Sequence, residues 1–371
     1  MYKKLCLSLG IITSCATSAG TDNHYSPYAN RNFPENLYWG DTHVHTSLSF
    51  DANMSGGYKV GPEEAYRLAR GETVSGNKDE PVRLIRPLDF LVVADHAINL
   101  GVMQAVWEED KLVMSQPDGA RMLGIVKEAR TRHGEFIDLA IKASRPPEGV
   151  TPLDTSTVQA NAWTKIMKTA DRFNDPGKFT AFIGYEWTAM SQGNNLHRVV
   201  VFRDDAARVA KVQPFSMADS IDPEDLWEYM QDYENNTGGK VLAIPHNGNV
   251  SNGMMFSDDR LQGQVITKEY AQSRSRWEPL YEATQIKGDS ESHPFLSPND
   301  EFASFGDVGW ELGNLSLTAG KENSMLAGEY LREALKRGLS IEQQTGANPY
   351  KFGMIGSTDS HTTLATADED N

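Results

Sequence analysis

His43-Val44-His45 near the start of the chain and Asp359-Ser360-His361 near its end each place two metal-ligand types one residue apart. Side chains on a strand alternate between faces, so His43 and His45 point the same way, and so do Asp359 and His361. Between these pairs lie Asp95-His96, Glu186, His197 and His246, each at or beside the end of an expected strand. Six of the nine histidines of the chain fall in this set. Imidazoles and carboxylates gathered by a sheet from distant parts of a sequence suit a divalent metal centre.

Each residue also has an ordinary reading. His246 before Asn247-Gly248 is, taken alone, a hydrogen-bonded turn histidine; its place in an ordered set makes it a ligand candidate. Two imidazoles on an interior face need something polar to bind, which favours His43 and His45 as ligands. Glu186 follows Phe182-Ile183-Gly184-Tyr185, where an unpaired buried carboxylate would be costly. Asp95 adjoins His96 and so faces elsewhere, which favours orienting a ligand over coordinating. Asn249 and Asn252 lie in a glycine-containing loop that reaches toward substrate or simply turns. His24 and His133 look incidental. Both cysteines, Cys6 and Cys15, precede residue 20, so any metal is held by nitrogen and oxygen. That donor set suits Zn, Mn or Fe.

The elements that must position these residues recur as apolar runs at 37–40, 89–94, 179–186, 196–202, 240–245, 279–286 and 352–357, which read as buried parallel strands. Helices are expected from Gly61-Pro62-Glu63-Glu64, from Asp222-Pro223 through Tyr233 with Gly238-Gly239 as the stop, and over 324–337 with Gly338 ending it. Residues 98–178 read as a helical insert, and residues 247–278 as a long loop leading into a helix. Strands alternating with helices, with polar residues at the strand ends, predict a (β/α) barrel. An open doubly wound sheet is the competing fold, but no glycine-rich dinucleotide fingerprint follows the first strand.

The chain has 371 residues, 39% hydrophobic and 23% charged, as befits a globular protein. Met1 to Ala19 reads as a secretory signal with a basic start and a short apolar run. Ile12-Thr13-Ser14-Cys15 also fits a lipoprotein signal that would leave a lipid anchor at Cys15, and both routes predict a periplasmic or secreted protein. The net charge of −16 becomes −18 once Lys3 and Lys4, the only charges in the signal, are removed. So acidic a chain is not expected to bind nucleic acid, which needs a positive face. No later segment is long and apolar enough to span a bilayer. The domains expected are thus the signal at 1–19 and a single barrel over 20–371, with the helical insert at about 98–178.

The ordered motifs together resemble the polymerase-and-histidinol-phosphatase (PHP) superfamily of metallohydrolases. Trp39-Gly40-Asp41-Thr42-His43-Val44-His45-Thr46-Ser47, Gln285-Ile286-Lys287-Gly288-Asp289-Ser290-Glu291 and Gly356-Ser357-Thr358-Asp359-Ser360-His361 resemble more closely an exported long-chain branch of unassigned function. The resemblance implies an α/β fold, a distorted (β/α)7 TIM-like barrel, here expected to lack its C-terminal part. It also implies two or three metal ions held by His43, His45, His96, Glu186, His197, His246, Asp359 and His361. A further histidine usual shortly after His-x-His is missing, and Asp51 is the nearest polar candidate.

The chemistry expected of such a centre is phosphoester hydrolysis of a small-molecule substrate. Metal lowers the pKa of water from 15.7 to about 7, and the hydroxide attacks phosphorus in line. From position alone, Lys287 and Arg198 are candidates to hold the phosphoryl group, and His293 to act as acid near neutral pH. Asp95 joins them as a catalytic candidate. The rival readings are hydrolysis of C–N, carboxylic or sulfate ester bonds on the same metals, and a truncated metal-binding pseudoenzyme. The oligomeric state has no signal in the sequence.

Overall fold

The computed structural model describes residues 36–131, 139, 142–143 and 145–365. The expected signal, the lipid-anchor candidate Cys15, His24 and His133 lie outside the described residues. The chain divides into a short unit, Met1–Leu37, and a compact unit, Tyr38–Asn371. Among the described residues no helix is long and apolar enough to cross a membrane.

Seven principal strands occupy the expected stretches of the larger unit: β1 Gly40–Val44, β2 Phe90–Val93, β3 Thr180–Trp187, β4 Arg198–Phe202, β5 Val241–Pro245, β6 Leu280–Gln285 and β7 Gly353–Gly356. The first starts at Gly40, three residues later than the apolar run suggested, because Leu37, Tyr38 and Trp39 are exposed. Strands β1 to β5 form one sheet in that order. Strands β6 and β7 pair in parallel in a second small sheet, extended by the antiparallel pair Gly288–Asp289.

The expected (β/α)7 TIM-like barrel is therefore corrected to a mixed α/β fold built on a curled five-stranded sheet. No ladder joins β5 to β6 among the described residues, and β7 is linked to β1 only beyond its end. That link is one bridge, Val44 to Ser360, with His45 N donating to Ser360 O at 2.9 Å. The expectation of parallel strands also fails in the middle. Strand β4 runs antiparallel to both β3 and β5. The cause is local: Gln192 and Gly193 sit at φ 54° and 83° between the paired strand residues Met190–Ser191 and Asn194–Asn195. Two positive-φ residues at a hairpin tip return the chain on itself, whereas a parallel neighbour needs a crossover of a dozen residues or more.

Among the described residues, eight helices of six residues or more pack around these sheets: α1 Phe50–Ser55, α2 Pro62–Ala69, α3 Val102–Trp107, α4 Gly119–Thr131, α5 Ser156–Phe173, α6 Pro223–Thr237, α7 Lys268–Trp277 and α8 Leu331–Thr345. Pro62 and Pro223 each open a helix, and Asp222 accepts from Glu224 N at 3.1 Å. Gly238 at φ 68° closes α6. Gly338 does not end a helix; it lies inside α8, where an added Cβ would stand 2.3 Å from Asn348 Oδ1. The glycine serves close packing there. The main core joins Tyr66, Trp163, Tyr185, Phe202 and Trp227 between the helices and the convex face of the sheet. Within the expected insert, α5 is the helix that carries Trp163 onto β3 and β4, while α3 and α4 build a satellite core with Met54.

Candidate metal centre

The hairpin explains where the ligand candidates meet. His43 and His45 close β1, His96 lies just past β2, Glu186 is near the end of β3, and His246 follows β5. His197 instead precedes β4, because that strand runs the other way and begins at the edge where its neighbours finish. Asp359 and His361 arrive at the same edge through the bridge between Val44 and Ser360.

Glu186, 1% exposed, is the hub. Its Oε1 faces His197 Nδ1 at 2.6 Å and His246 Nε2 at 2.9 Å. Its Oε2 faces His96 Nδ1 at 2.9 Å, His45 Nε2 at 3.3 Å and His43 Nε2 at 3.5 Å. Asp359 forms a second hub. Oδ1 lies 2.9 Å from His45 Nε2, 3.3 Å from His43 Nε2 and 3.6 Å from His361 Nδ1. Its Oδ2 is held by Lys287 Nζ and Gln285 Nε2. Asp51, at the start of α1, bridges His96 Nε2 at 2.9 Å and His361 Nε2 at 2.7 Å. All the metal-ligand candidates thus fall in one cluster, Asp51 included.

The remaining candidates are placed differently. Lys287 touches Asp359, as above. Asp95 is fully buried and turns away from the cluster to take Thr46 N at 2.5 Å and Thr46 Oγ1 at 2.8 Å, which fixes the turn after β1. Arg198 points to the opposite face of β4 from His197. There its Nε donates to Glu278 Oε1 at 3.0 Å and its Nη1 to Leu196 O at 2.5 Å. His293 belongs to its own turn, where its Nδ1 accepts from Phe295 N at 3.1 Å and its ring lies 5.4 Å from Tyr330.

Sequence reasoning missed Glu282. Its Oε2 lies 3.1 Å from His43 Nδ1, while Nε2 of the same ring faces His45, Glu186 and Asp359. The signal was available: Glu282 is a carboxylate on the same face of β6 as apolar Leu280. Asp41 was missed too. It lies under the cluster, accepting from His43 N at 2.9 Å and from Thr358 Oγ1 at 2.5 Å, and so ties β1 to the segment that carries Asp359.

Burial pushes the Glu186 carboxyl up, but His96 and His197 hold it well below the usual carboxylate range. Burial likewise raises Asp359 and Asp51. Lys287 and His43 outweigh it at the first, His96 and His361 at the second, so both end well below the ordinary value. Burial works against charge on His96, yet Asp51 and Glu186 lift it to about 10. His43 and His45 are raised in the same way by the carboxylates around them. Burial wins at His197, which drops to about 4. Asp41 is driven up to about 6 by burial.

The donor set fits divalent cations on geometric grounds. His45, His96 and His361; His43, His45 and Glu186; His43, His246 and Glu282; and His96, Glu186 and His197 each offer ligand atoms within 4.8 Å of one another. Glu186 Oε2, Asp359 Oδ1 and His197 Nε2 are buried with no hydrogen-bond partner. Two ring nitrogens, His43 Nε2 and His45 Nε2, face each other at 3.1 Å. Unpartnered acceptors and converging imidazoles are expensive in a dry site unless something positive sits among them.

Comparison with known proteins gives a family. The model described as a protein of unknown function, DUF3604, matches residues 32–371, and the chain belongs to that family. No curated protein matches it. Among solved structures, the crystal structure of PsfC from Pseudomonas syringae PB-5123 is similar, at 12% identity. The match covers 88% of this chain and 77% of that one, with a TM-score of 0.30. The resemblance to the PHP superfamily is corrected by these findings: the family matched is DUF3604, and the sheet is curled rather than closed.

Proposed function

We propose that this DUF3604 chain is a metal-dependent hydrolase of small phosphoesters, with two or three divalent ions held around Glu186, Asp359 and Asp51. The observation that carries the reading is the five imidazole nitrogens within 3.5 Å of the two oxygens of the buried Glu186. Divalent ions bound there would supply an acidified water and a charge sink for the reacting oxygens.

The rest of the work falls to the protein. Glu282 orients His43 so that its opposite ring nitrogen faces the centre, while Asp51 draws Nε2 of His96 and Nε2 of His361 to one carboxylate oxygen. Gln285 donates to both Asn247 Oδ1, at 2.6 Å, and Asp359, locking the carboxylate to the loop after β5. Lys287 supports an anionic substrate. Among the described residues it is the one amine in contact with the cluster, and it is largely buried. Burial works against its charge, but Asp359 raises its pKa above the ordinary lysine value, so it stays an ammonium at neutral pH. A compact ammonium there would bind a phosphoryl oxygen as a point charge.

The test is metal content per chain together with rates on p-nitrophenyl phosphate, sulfate and acetate after loading with Zn, Mn or Fe. Stoichiometric metal and the highest kcat/KM on the phosphate are expected, with both lost in Glu186→Gln. Faster turnover of the acetate or the sulfate, or a purified protein that takes up no metal, would reject the phosphoesterase.

A further inference from the structure

The concave face of the sheet carries a second feature at the end away from the ligands. Residues two and four positions before a ligand share its face. Phe90 and Val92 stand in that relation to Ala94 and His96, Phe182 to Glu186, and Leu242 and Ile244 to His246. On β4 the order inverts, so Val199 and Val201 follow His197. The outer part of this apolar ladder, with Leu280 and Ile355, surrounds a cavity of about 860 Å³. Ala94 and Val199, both fully buried, lie between it and the ligands.

The mouth of this cavity is positive although the chain carries a net charge of −16. Lys178, Arg203, Lys240 and Arg276 line it, against Asp89 and Glu234, and Lys178 pairs with Asp175 at 3.3 Å. Glu234 is shared by Lys240 at 2.9 Å and Arg276 at 2.8 Å, so one carboxylate serves two cations. Asp89 is occupied by Trp39 N at 2.7 Å. Arg203 is exposed and has no ion pair among the described residues. An apolar volume within the usual range for small-molecule sites, opening on surplus cations, complements a ligand that is apolar at one end and anionic at the other.

We propose that the cavity binds one monomeric single-chain amphiphile with an anionic head, of the medium-chain fatty carboxylate class. Its chain would lie against Phe182, Val201, Ile244, Leu280 and Ile355, and its head at Arg203 and Lys240. The site is independent of the metal reading, since none of its lining residues is a ligand candidate.

Displacement of 1-anilinonaphthalene-8-sulfonate from the full chain by octanoate, decanoate and dodecanoate, each below its micellar concentration, tests it. One site per chain is expected, tightening about fourfold per added methylene until the cavity fills. Arg203→Glu, which breaks no ion pair, should weaken dodecanoate by about fivefold or more and leave dodecanol unchanged. Ile355→Trp, which fills the cavity from an edge strand, should weaken both. Unchanged affinity after chelation supports the site. Loss of binding on chelation would put the ligand on the metal centre and overturn it. Equal affinity for the alcohol and the carboxylate, or attachment only to phosphatidylglycerol vesicles with no monomer bound, would overturn it as well.

Discussion

Replacing Glu186 by Gln keeps the size of the side chain and removes the charge that five imidazoles share. Its two oxygens lie 2.6 and 2.9 Å from His197 and His246, and 2.9, 3.3 and 3.5 Å from His96, His45 and His43. Removing one member of a buried, hydrogen-bonded charge arrangement costs about 3–5 kcal/mol. If divalent ions are the positive partners, that cost falls on metal binding. At about 1.4 kcal/mol per decade, it predicts a loss of roughly 10² to 4 × 10³-fold in affinity for the ion nearest Glu186. If protons on the imidazoles are the only partners, the same cost falls on the metal-free fold, and metal changes nothing. Competition against a chromophoric chelator, with unfolding by urea measured in parallel with and without metal, separates these cases. Wild-type affinity and stoichiometry in Glu186→Gln would refute the argument that this carboxylate organises a metal centre.

Other perturbations test other parts of the structure. Glu282→Gln keeps the fold and weakens metal binding by about 10–100-fold, because the ring of His43 loses the carboxylate that fixes its Nδ1; a wild-type titration would remove Glu282 from the site. Arg198→Met leaves Glu278 with Arg274 and lowers stability by about 3 kcal/mol, the low end for breaking a buried pair. Its kcat/KM on aryl phosphate per folded protein should stay unchanged, whereas a selective rise in KM would return Arg198 to the substrate. Gly193→Val forces a β-branched residue to φ 83° and sets a Cβ 2.8 Å from Asn314 Nδ2, costing about 1–3 kcal/mol by urea unfolding. Glu329 is buried beside Lys321, and burial lifts its pKa from 4.5 to about 7. A raised folded pKa contributes stability that is complete below the unfolded value and lost as pH rises through the folded one. Relative to Glu329→Gln, the wild type should therefore lose up to about 3 kcal/mol between pH 4.5 and pH 7. Parallel pH curves for the two proteins would show that Glu329 does not titrate in this way.

The placement of the strands and the gathering of the ligand candidates were legible because both rest on local rules. Apolar runs of four to eight residues marked six of the seven principal strands, β1 lying further on at Gly40–Val44, and the same-face rule for alternate residues pairs His43 with His45. Closure of the sheet was not legible, since it depends on ladders between segments far apart in sequence, such as β6 and β7. The direction of β4 was written in Gln192-Gly193, but a run like Arg198–Phe202, buried on both faces, reads as a parallel strand when periodicity is weighed without the turn before it. Gly338 misled for a related reason. Glycine stops a helix when it sits past the last turn, and nothing local to residues 331–345 shows that Asn348 and Tyr350 fold back onto it.

The antiparallel strand has a further consequence for the site. His45, His96, His246, Asp359 and His361 follow their strands and are carried on the segments beyond them, whereas His43 and Glu186 lie within β1 and β3. Reversing β4 lets His197 precede a strand whose five residues are all buried, two positions before Val199, the residue that pairs with Glu186. The shortest contact of the hub, 2.6 Å, is the one between these two residues. Rigid elements hold side chains more precisely than loops do. The hairpin therefore fixes the distance between Glu186 and His197. Lengthening its tip by two glycines after Gly193 should weaken metal held by His197 while sparing that held by His361 and Asp51. Cobalt or cadmium spectra of the loaded variant would show one site lost and another kept; uniform loss of all bound metal would mean that the hairpin supports the whole fold instead.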